Sequence, residues 1–114
     1  MSDHPNILRI PGASTLAQGS ARTFPLPGSD EQGFLIHTPE GLRAFQNRCR
    51  HWPVPLDMDD ADFWSPEVGA IVCKVHGAIF RGHDGLCLAG PCAGAALRSW
   101  PVTLEGDDAL IELS

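Results

Sequence analysis

Short apolar segments alternate with turn residues along the chain, and this pattern predicts strands. Two candidate strands, residues 7–10 and 22–26, lie within the first 30 positions. A predicted hairpin follows, in which residues 33–37 pair with residues 42–47 across the turn at 38–41. Proline fixes φ at the second position of such a turn and glycine closes it, so the residues themselves specify the turn.

The second half of the chain continues the pattern with shorter segments. Its candidate strands are residues 70–73, 78–80, 97–104 and 109–113. Turn residues separate them at 83–85 and 105–108. Helix is limited to a turn or two, at residues 14–21 or 93–97. Many short strands at regular spacing are typical of an all-β domain.

Composition supports this fold class. The chain has 114 residues, of which 12 are glycine and 10 are proline, and this high share argues against a bundle of long helices. Hydrophobic residues make up 43% and charged residues 19%, as in a folded globular chain. We therefore predict one domain over residues 1–114.

The net charge and the hydropathy of the chain argue against nucleic-acid binding and against insertion into a membrane. Eight basic and 14 acidic side chains leave a net charge of −6, which disfavours binding to nucleic acid phosphates. No apolar segment reaches the roughly 18 residues of a membrane span, and the first residues do not resemble a secretion signal. We expect a cytoplasmic protein whose four cysteines stay reduced.

Two motifs carry candidate chemistry. Cys49-Arg50-His51 and Cys73-Lys74-Val75-His76 each place one thiol and one imidazole where a predicted strand enters a loop. Thiolates and neutral imidazoles are good ligands for transition metals. Two matched Cys/His pairs therefore predict a metal site with four ligands.

Together the two motifs resemble the ligand signature of Rieske [2Fe–2S] proteins. The resemblance implies that Cys49 and Cys73 hold one iron and that His51 and His76 hold the other. It continues through residues 77–80, the Gly90-Pro91 pair of a loop that covers the cluster, and the segment from Trp100 onward. It extends from about residue 33 to the last residues.

The resemblance also implies a fold and a function. The fold would be a Rieske-type antiparallel β-sandwich with a small cluster-binding subdomain, about residues 49–91, inserted into a larger base. The function would be one-electron transfer by a soluble ferredoxin, from a flavin-dependent reductase to an oxygenase or similar acceptor. Such a chain is an electron-transfer component of an oxidoreductase system more than an enzyme in its own right.

Two alternatives stay open at this point. The chain could be an accessory Rieske-like subunit of a larger redox enzyme. It could also be a binding module that a Cys₂His₂ zinc site stabilises. Zinc fingers usually pair cysteine with cysteine and histidine with histidine, so the mixed pairs disfavour zinc.

The remaining notable residues have plainer interpretations. Cys87 and Cys92 flank the covering loop, and we expect reduced thiols packed near the cluster instead of ligands. Surface positions are expected for His4, His37 and His83. Trp64 and Trp100 are expected to be core or half-buried, whereas Trp52 would shield the cluster or pack against its loop. The acidic residues at 57–62 indicate a solvated loop, with partner docking as the less favoured function.

The resemblance finally implies a low reduction potential. High-potential members of the family have a serine hydroxyl, a tyrosine hydroxyl and a disulfide beside the cluster. Here Ala78 stands at the serine position, the chain has no tyrosine, and Val54 and Val75 stand at the disulfide positions. Because hydrogen bonds to the sulfurs raise the potential, their absence lowers it.

Overall fold

The computed structural model describes residues 7–28, 31–48, 63–73, 77–90 and 94–113. Its strands are β1 (Ile7–Ile10), β2 (Ala21–Pro25), β3 (Gln32–Thr38), β4 (Gly41–Gln46), β5 (Trp64–Ser65), β6 (Ala70–Val72), β7 (Ile79–Phe80), β8 (Cys87–Ala89), β9 (Ser99–Trp100), β10 (Val102–Glu105) and β11 (Asp108–Glu112). One short 3-10 helix spans Ala13–Thr15. The all-β prediction is confirmed, and the helix considered at residues 14–21 is reduced to this short turn.

The strands form three antiparallel sheets. The first sheet has the order β1-β11-β10, the central sheet β2-β3-β4-β9, and the distal sheet β5-β6-β7-β8. The distal sheet is built from one continuous stretch of sequence that lies between β4 and β9. The described residues contain no helix that is long and apolar enough to cross a membrane.

Strand β3 is buried on both faces and joins the two parts of the core. Phe34 and Ile36 belong to a core cluster shared with the distal sheet, where Ile71 and Phe80 lie. Leu35 belongs to a second cluster, shared with the first sheet. Successive side chains of a strand point to opposite faces, so a strand buried on both sides has a continuous apolar sequence.

The predicted hairpin of β3 and β4 is confirmed. Its register pairs Thr38 with Gly41 across the turn. The Thr38 hydroxyl donates to the Gly41 carbonyl at 2.8 Å and accepts the backbone N–H of Glu40 at 3.2 Å. Gly41 has a φ of +121°, a region that residues with a side chain rarely adopt. The turn residues therefore determine the register of the two strands.

The predicted continuous strand at residues 97–104 is wrong. The chain divides at Pro101 into β9, which pairs with β4, and β10, which pairs with β11. Proline has no N–H and cannot continue a ladder, so the chain changes sheet at this residue. The carbonyl of Pro101 still accepts a hydrogen bond from the Glu112 N–H at 3.1 Å.

Two further strands were not predicted. β5 has two residues and β8 has three, which is too short for an alternating pattern to be recognised. The assignment of Cys87 to the edge of a loop is corrected, because this residue lies in β8. The helix considered at 93–97 does not form in its described part, where Ala96 instead makes a β-bridge with Leu86.

Candidate metal centre

Cys73 directly follows β6 and is fully buried. Strand β6 pairs with β7, and the Cys73 N–H extends this ladder by donating to the Ala78 carbonyl at 2.8 Å. The side chain belongs to the core cluster that contains Phe34 and Phe63. One of the four predicted ligands is thus held by regular backbone structure and surrounded by apolar packing.

The loop after Cys73 is closed by a tight turn. The Gly77 N–H donates to the Cys73 carbonyl at 2.8 Å, and Gly77 has a φ of +73°. A β-carbon at Gly77 would meet no atom of the described residues within 4 Å, so glycine is favoured here by backbone conformation and not by lack of space. Residues 74–76, which include the predicted ligand His76, lie outside the described residues.

The predicted ligands Cys49 and His51, as well as Trp52, Val54 and the acidic residues at 57–62, also lie outside the described residues. The chain on either side of them is well anchored. Before them, the Asn47 N–H donates to the Gln32 carbonyl at 2.8 Å. After them, the Phe63 carbonyl accepts the N–H of Val72 at 2.9 Å. The chain therefore returns beside Val72, the residue that precedes Cys73.

Aromatic packing fixes this return point. The rings of Phe63 and Phe34 are stacked, with centroids 3.9 Å apart and planes 7° from parallel. Phe34 also contacts Phe45 of β4 at a centroid distance of 5.8 Å. Phe63 thereby packs on the central sheet. Strand β4 of the same sheet is the last strand before residues 49–62, so the chain leaves this sheet and returns to it.

The Gly90 segment packs directly on the hairpin of Cys73. A β-carbon at Gly90 would lie 2.8 Å from Cα and 3.1 Å from Cβ of Ala78. The loop that begins there is closed by two hydrogen bonds of Cys87, whose N–H donates to the Ala95 carbonyl and whose carbonyl accepts the Gly94 N–H. Pro91 lies outside the described residues. The structure thus brings into contact two segments that resemble those of Rieske proteins, residues 77–80 and the segment that ends at Gly90.

The other cysteines and histidines are placed only in part. Cys87 is buried, and its thiol donates to the Ala89 carbonyl at 3.2 Å. His83 is exposed as predicted, but His37 is half-buried and its Nδ1 lies 2.7 Å from the Leu16 carbonyl, so the prediction of a surface position is wrong for His37. Cys92 and His4 lie outside the described residues. Trp64 and Trp100 are half-buried, as predicted.

An ion pair closes the turn between β7 and β8. Nε of Arg81 donates to Oδ1 of Asp84 at 2.9 Å, and a second guanidinium nitrogen donates to Oδ2. The Leu86 N–H also donates to this carboxylate, at 3.1 Å. The Arg81 hydrogen bond, with the Leu86 bond second, holds the pKa of Asp84 far below its ordinary value. The ion pair thereby holds the turn that joins β7 to β8, at the opposite end of β7 from Cys73.

Of the four predicted ligands the structure describes only Cys73, and no three metal-ligating side chains lie together among the described residues. A cysteine thiolate binds iron well. The N–H and the carbonyl of Cys73 both form backbone hydrogen bonds, which hold the residue in place. The glycine after the second motif supplies the turn that such a ligand loop needs. Cys49, His51 and His76 remain predicted ligands.

Comparisons with known proteins show the family of the chain. The model of the family described as "Rieske [2Fe-2S] domain" matches residues 8–101. No curated protein matches the chain significantly.

Solved structures of similar fold include two ferredoxins and one chain of an oxygenase–ferredoxin complex. The ferredoxin of carbazole 1,9a-dioxygenase from Nocardioides aromaticivorans IC177 is 23% identical, with 95% of this chain and 98% of that chain covered and a TM-score of 0.75. The Sphingomonas yanoikuyae B1 ferredoxin is 21% identical, with coverage of 96% and 100% and a TM-score of 0.75. A chain in the complex of reduced oxygenase and oxidized ferredoxin in carbazole 1,9a-dioxygenase is 20% identical, with coverage of 93% and 92% and a TM-score of 0.74.

Proposed function

The chain belongs to the Rieske [2Fe–2S] domain family, and from this premise we propose that it is a ferredoxin, a carrier of single electrons to a terminal oxygenase. The observation that carries the proposal is the match of the family model over residues 8–101, a range that contains both Cys/His motifs. The cofactor of this family is a [2Fe–2S] cluster, in place of the zinc of the alternative interpretation.

The ligand assignment is part of the proposal. Cys49 and Cys73 would bind one iron, and His51 and His76 would bind the other, as in Rieske centres generally. The bound cluster would supply a site that gains and loses one electron. The burial of Cys73 among apolar side chains supports its role, because an apolar shell around a metal centre limits the access of solvent and tunes its reduction potential.

The remaining residues of the site would position these ligands. The hydrogen bond between Gly77 and Cys73 would hold the second motif in a tight loop. The contact of Gly90 with Ala78 would hold the covering loop on that hairpin. Ligand loops held in this way would move little when the cluster gains or loses an electron. Such a small structural change favours rapid electron transfer.

The similar ferredoxins support the choice of partners. One of them is the ferredoxin of a dioxygenase, and another is in complex with its oxygenase. We propose a flavin-dependent reductase as the electron donor and a terminal oxygenase as the acceptor. We further propose that the protein is cytoplasmic, where thiols stay reduced. We expect neither a nucleic acid nor a membrane as a partner.

Spectroscopy and kinetics on the purified chain test the proposal. We expect a red-brown protein with two irons and two sulfides per chain. One electron per cluster, supplied by dithionite, should reduce it and partly bleach the colour. The protein should then transfer electrons from a flavin-dependent ferredoxin reductase to cytochrome c, and Cys73→Ser should not. A colourless protein that contains zinc, or a cluster that the reductase does not reduce, would contradict the proposal.

A further inference from the structure

We propose that Asp84 is a latent site of isoaspartate formation and that Arg81 suppresses the reaction. Asp84 and Gly85 are the only aspartate–glycine pair of the sequence, and glycine, which has no side chain, obstructs this reaction least. The pair lies in the turn that joins β7 to β8. Neither residue is a proposed cluster ligand, so this site is separate from the electron-transfer function.

The reaction joins the backbone amide of Gly85 to the side chain of Asp84. The amide nitrogen attacks Cγ of Asp84, a C–N bond forms, and the carboxyl hydroxyl leaves with the amide proton as water. Water then opens the resulting succinimide. Cleavage of the new C–N bond restores aspartate, whereas cleavage of the original peptide C–N bond leaves Gly85 attached through the side chain, as isoaspartate. No electron is gained or lost, and water is the only co-reactant.

The turn needs both residues of the pair. Gly85 has a φ of +77°, and a β-carbon there would lie 2.9 Å from Cε1 of Phe45. Conformation and lack of space therefore both disfavour any residue with a side chain at this position. The Asp84 carboxylate accepts the Leu86 N–H at 3.1 Å in addition to two bonds from Arg81. The fold thus retains an aspartate–glycine pair and has to restrain its chemistry.

Backbone hydrogen bonds restrain the nucleophile. The Gly85 N–H donates to the Arg81 carbonyl at 2.7 Å, and the Gly85 carbonyl accepts the Leu97 N–H at 2.9 Å. Gly85 is buried, whereas Asp84 beside it is exposed. To attack Cγ, the amide nitrogen would have to leave the Arg81 carbonyl and turn toward the carboxyl group. The bond to Leu97 resists that rotation.

Arg81 restrains the carboxyl group by position and by charge. Its Nε donates to Oδ1 at 2.9 Å and a second guanidinium nitrogen donates to Oδ2, so the fork fixes the plane of the carboxylate. Hydroxide leaves readily only from the protonated acid. The Arg81 hydrogen bond, with the Leu86 bond second, holds the pKa of Asp84 far below its ordinary value, so this form is scarce near neutral pH. Both side chains are nearly half exposed, so water reaches the site.

Isoaspartate formation in the cluster-loaded protein tests the proposal. The protein is incubated at neutral pH and physiological temperature, and the peptide that contains Asp84 is analysed by chromatography and by methylation with an isoaspartyl methyltransferase. Arg81→Gln should accumulate isoaspartate at Asp84 at least about 10-fold faster than the unaltered protein, the factor that one unit of carboxyl pKa represents. Arg81→Lys, which keeps the charge but not the two parallel bonds, should give an intermediate rate.

Arg9→Gln is the matched control. Arg9 has the same exposed fraction as Arg81, 48%, and also donates to two carboxylates, those of Glu105 and Asp108. Its loss should leave the rate at Asp84 unchanged, and urea unfolding of both glutamine variants shows whether they are equally stable. The urea-unfolded chain gives the unrestrained rate.

Two results would overturn the proposal. One is an Arg81→Gln rate no faster than that of the unaltered protein or of Arg9→Gln. The other is a folded protein that forms isoaspartate as fast as the urea-unfolded chain. The visible spectrum checks folding, and if Arg81→Gln does not fold, the Arg81→Lys rate and the comparison with the unfolded chain decide the matter.

Discussion

Gly90 lies so close to Ala78 that a β-carbon at Gly90 would approach Cα of Ala78 to 2.8 Å. This contact joins the segment before Pro91 to the hairpin that carries Cys73. Gly90 also has a φ of +105°, which disfavours any residue with a side chain. The contact therefore joins Gly90, which precedes the predicted Pro91 loop, to the hairpin that follows Cys73.

Gly90→Ala should destabilise the protein and its cluster. We expect a loss of about 3 kcal/mol in the free energy of unfolding, about 1 from the positive φ and about 2 from the clash with Ala78. Gly94→Ala is the matched control, since Gly94 has a φ of +93° but no described atom within 4 Å of its β-carbon position. Urea unfolding followed by visible absorbance measures both, and equal losses would show that the contact contributes nothing.

The two buried cysteines of the distal sheet should respond differently to the same substitution. Cys73→Ser should abolish cluster assembly, because it removes a proposed thiolate ligand. Cys87→Ser should keep the visible spectrum, because a serine hydroxyl can still donate to the Ala89 carbonyl. Iron and sulfide analysis of both variants measures this, and loss of the cluster in Cys87→Ser would show that the ligand assignment is wrong.

The ion pair of Arg81 and Asp84 predicts a pH-dependent contribution to stability. Because the folded-state pKa of Asp84 is lowered, the pair stabilises fully above the ordinary carboxyl pKa of 3.8, and this contribution is lost as the pH falls below that value. The difference in unfolding free energy between the unaltered protein and Asp84→Asn should be constant from about pH 7 to 5 and shrink below about pH 4. A difference for Asp84→Asn that grows in acid would contradict the prediction.

Partner association should depend on ionic strength. The net charge of −6 and the acidic residues at 57–62 predict docking on a basic surface, and salt screens exposed charges beyond roughly 8–10 Å. Reversal of Asp59 and Asp60 to lysine should slow association with the reductase more than it changes the potential. Reversal of Asp107 and Glu112, which lie on the β10–β11 hairpin, should have the smaller effect in stopped-flow measurements. A rate that does not respond to salt would leave the acidic residues as a solvated loop.

The reduction potential should lie toward the low end of the Rieske range, nearer about −150 mV than +300 mV. Ala78, fully buried behind Gly77, offers no hydroxyl to the cluster, and the chain has no tyrosine. Ala78→Ser should raise the midpoint if a hydroxyl there donates to a sulfur. Protein-film voltammetry from about pH 6 to 11 should show a flat potential at neutral pH that falls only in alkali, and a midpoint above about +100 mV at pH 7 would contradict the prediction.

The sequence alone determined the features that depend on residues near one another in the chain. The turn at residues 38–41 and the hairpin that it joins could be predicted, because backbone conformation at proline and glycine is decided locally. The two Cys/His motifs carried the resemblance to the Rieske family, and the match of the family model over residues 8–101 shows that the chain belongs to it.

Only the tertiary structure decided the contacts between distant segments. The division of the last strands at Pro101, the approach of Gly90 to Ala78 and the unpaired Nε1 of Trp100 depend on which strands become neighbours. Strand pairing is set by the sum of many weak contacts between residues far apart in sequence, so no short pattern encodes it. The motifs therefore predicted the chemistry of the site, whereas packing of the central and distal sheets determined the surroundings in which it lies.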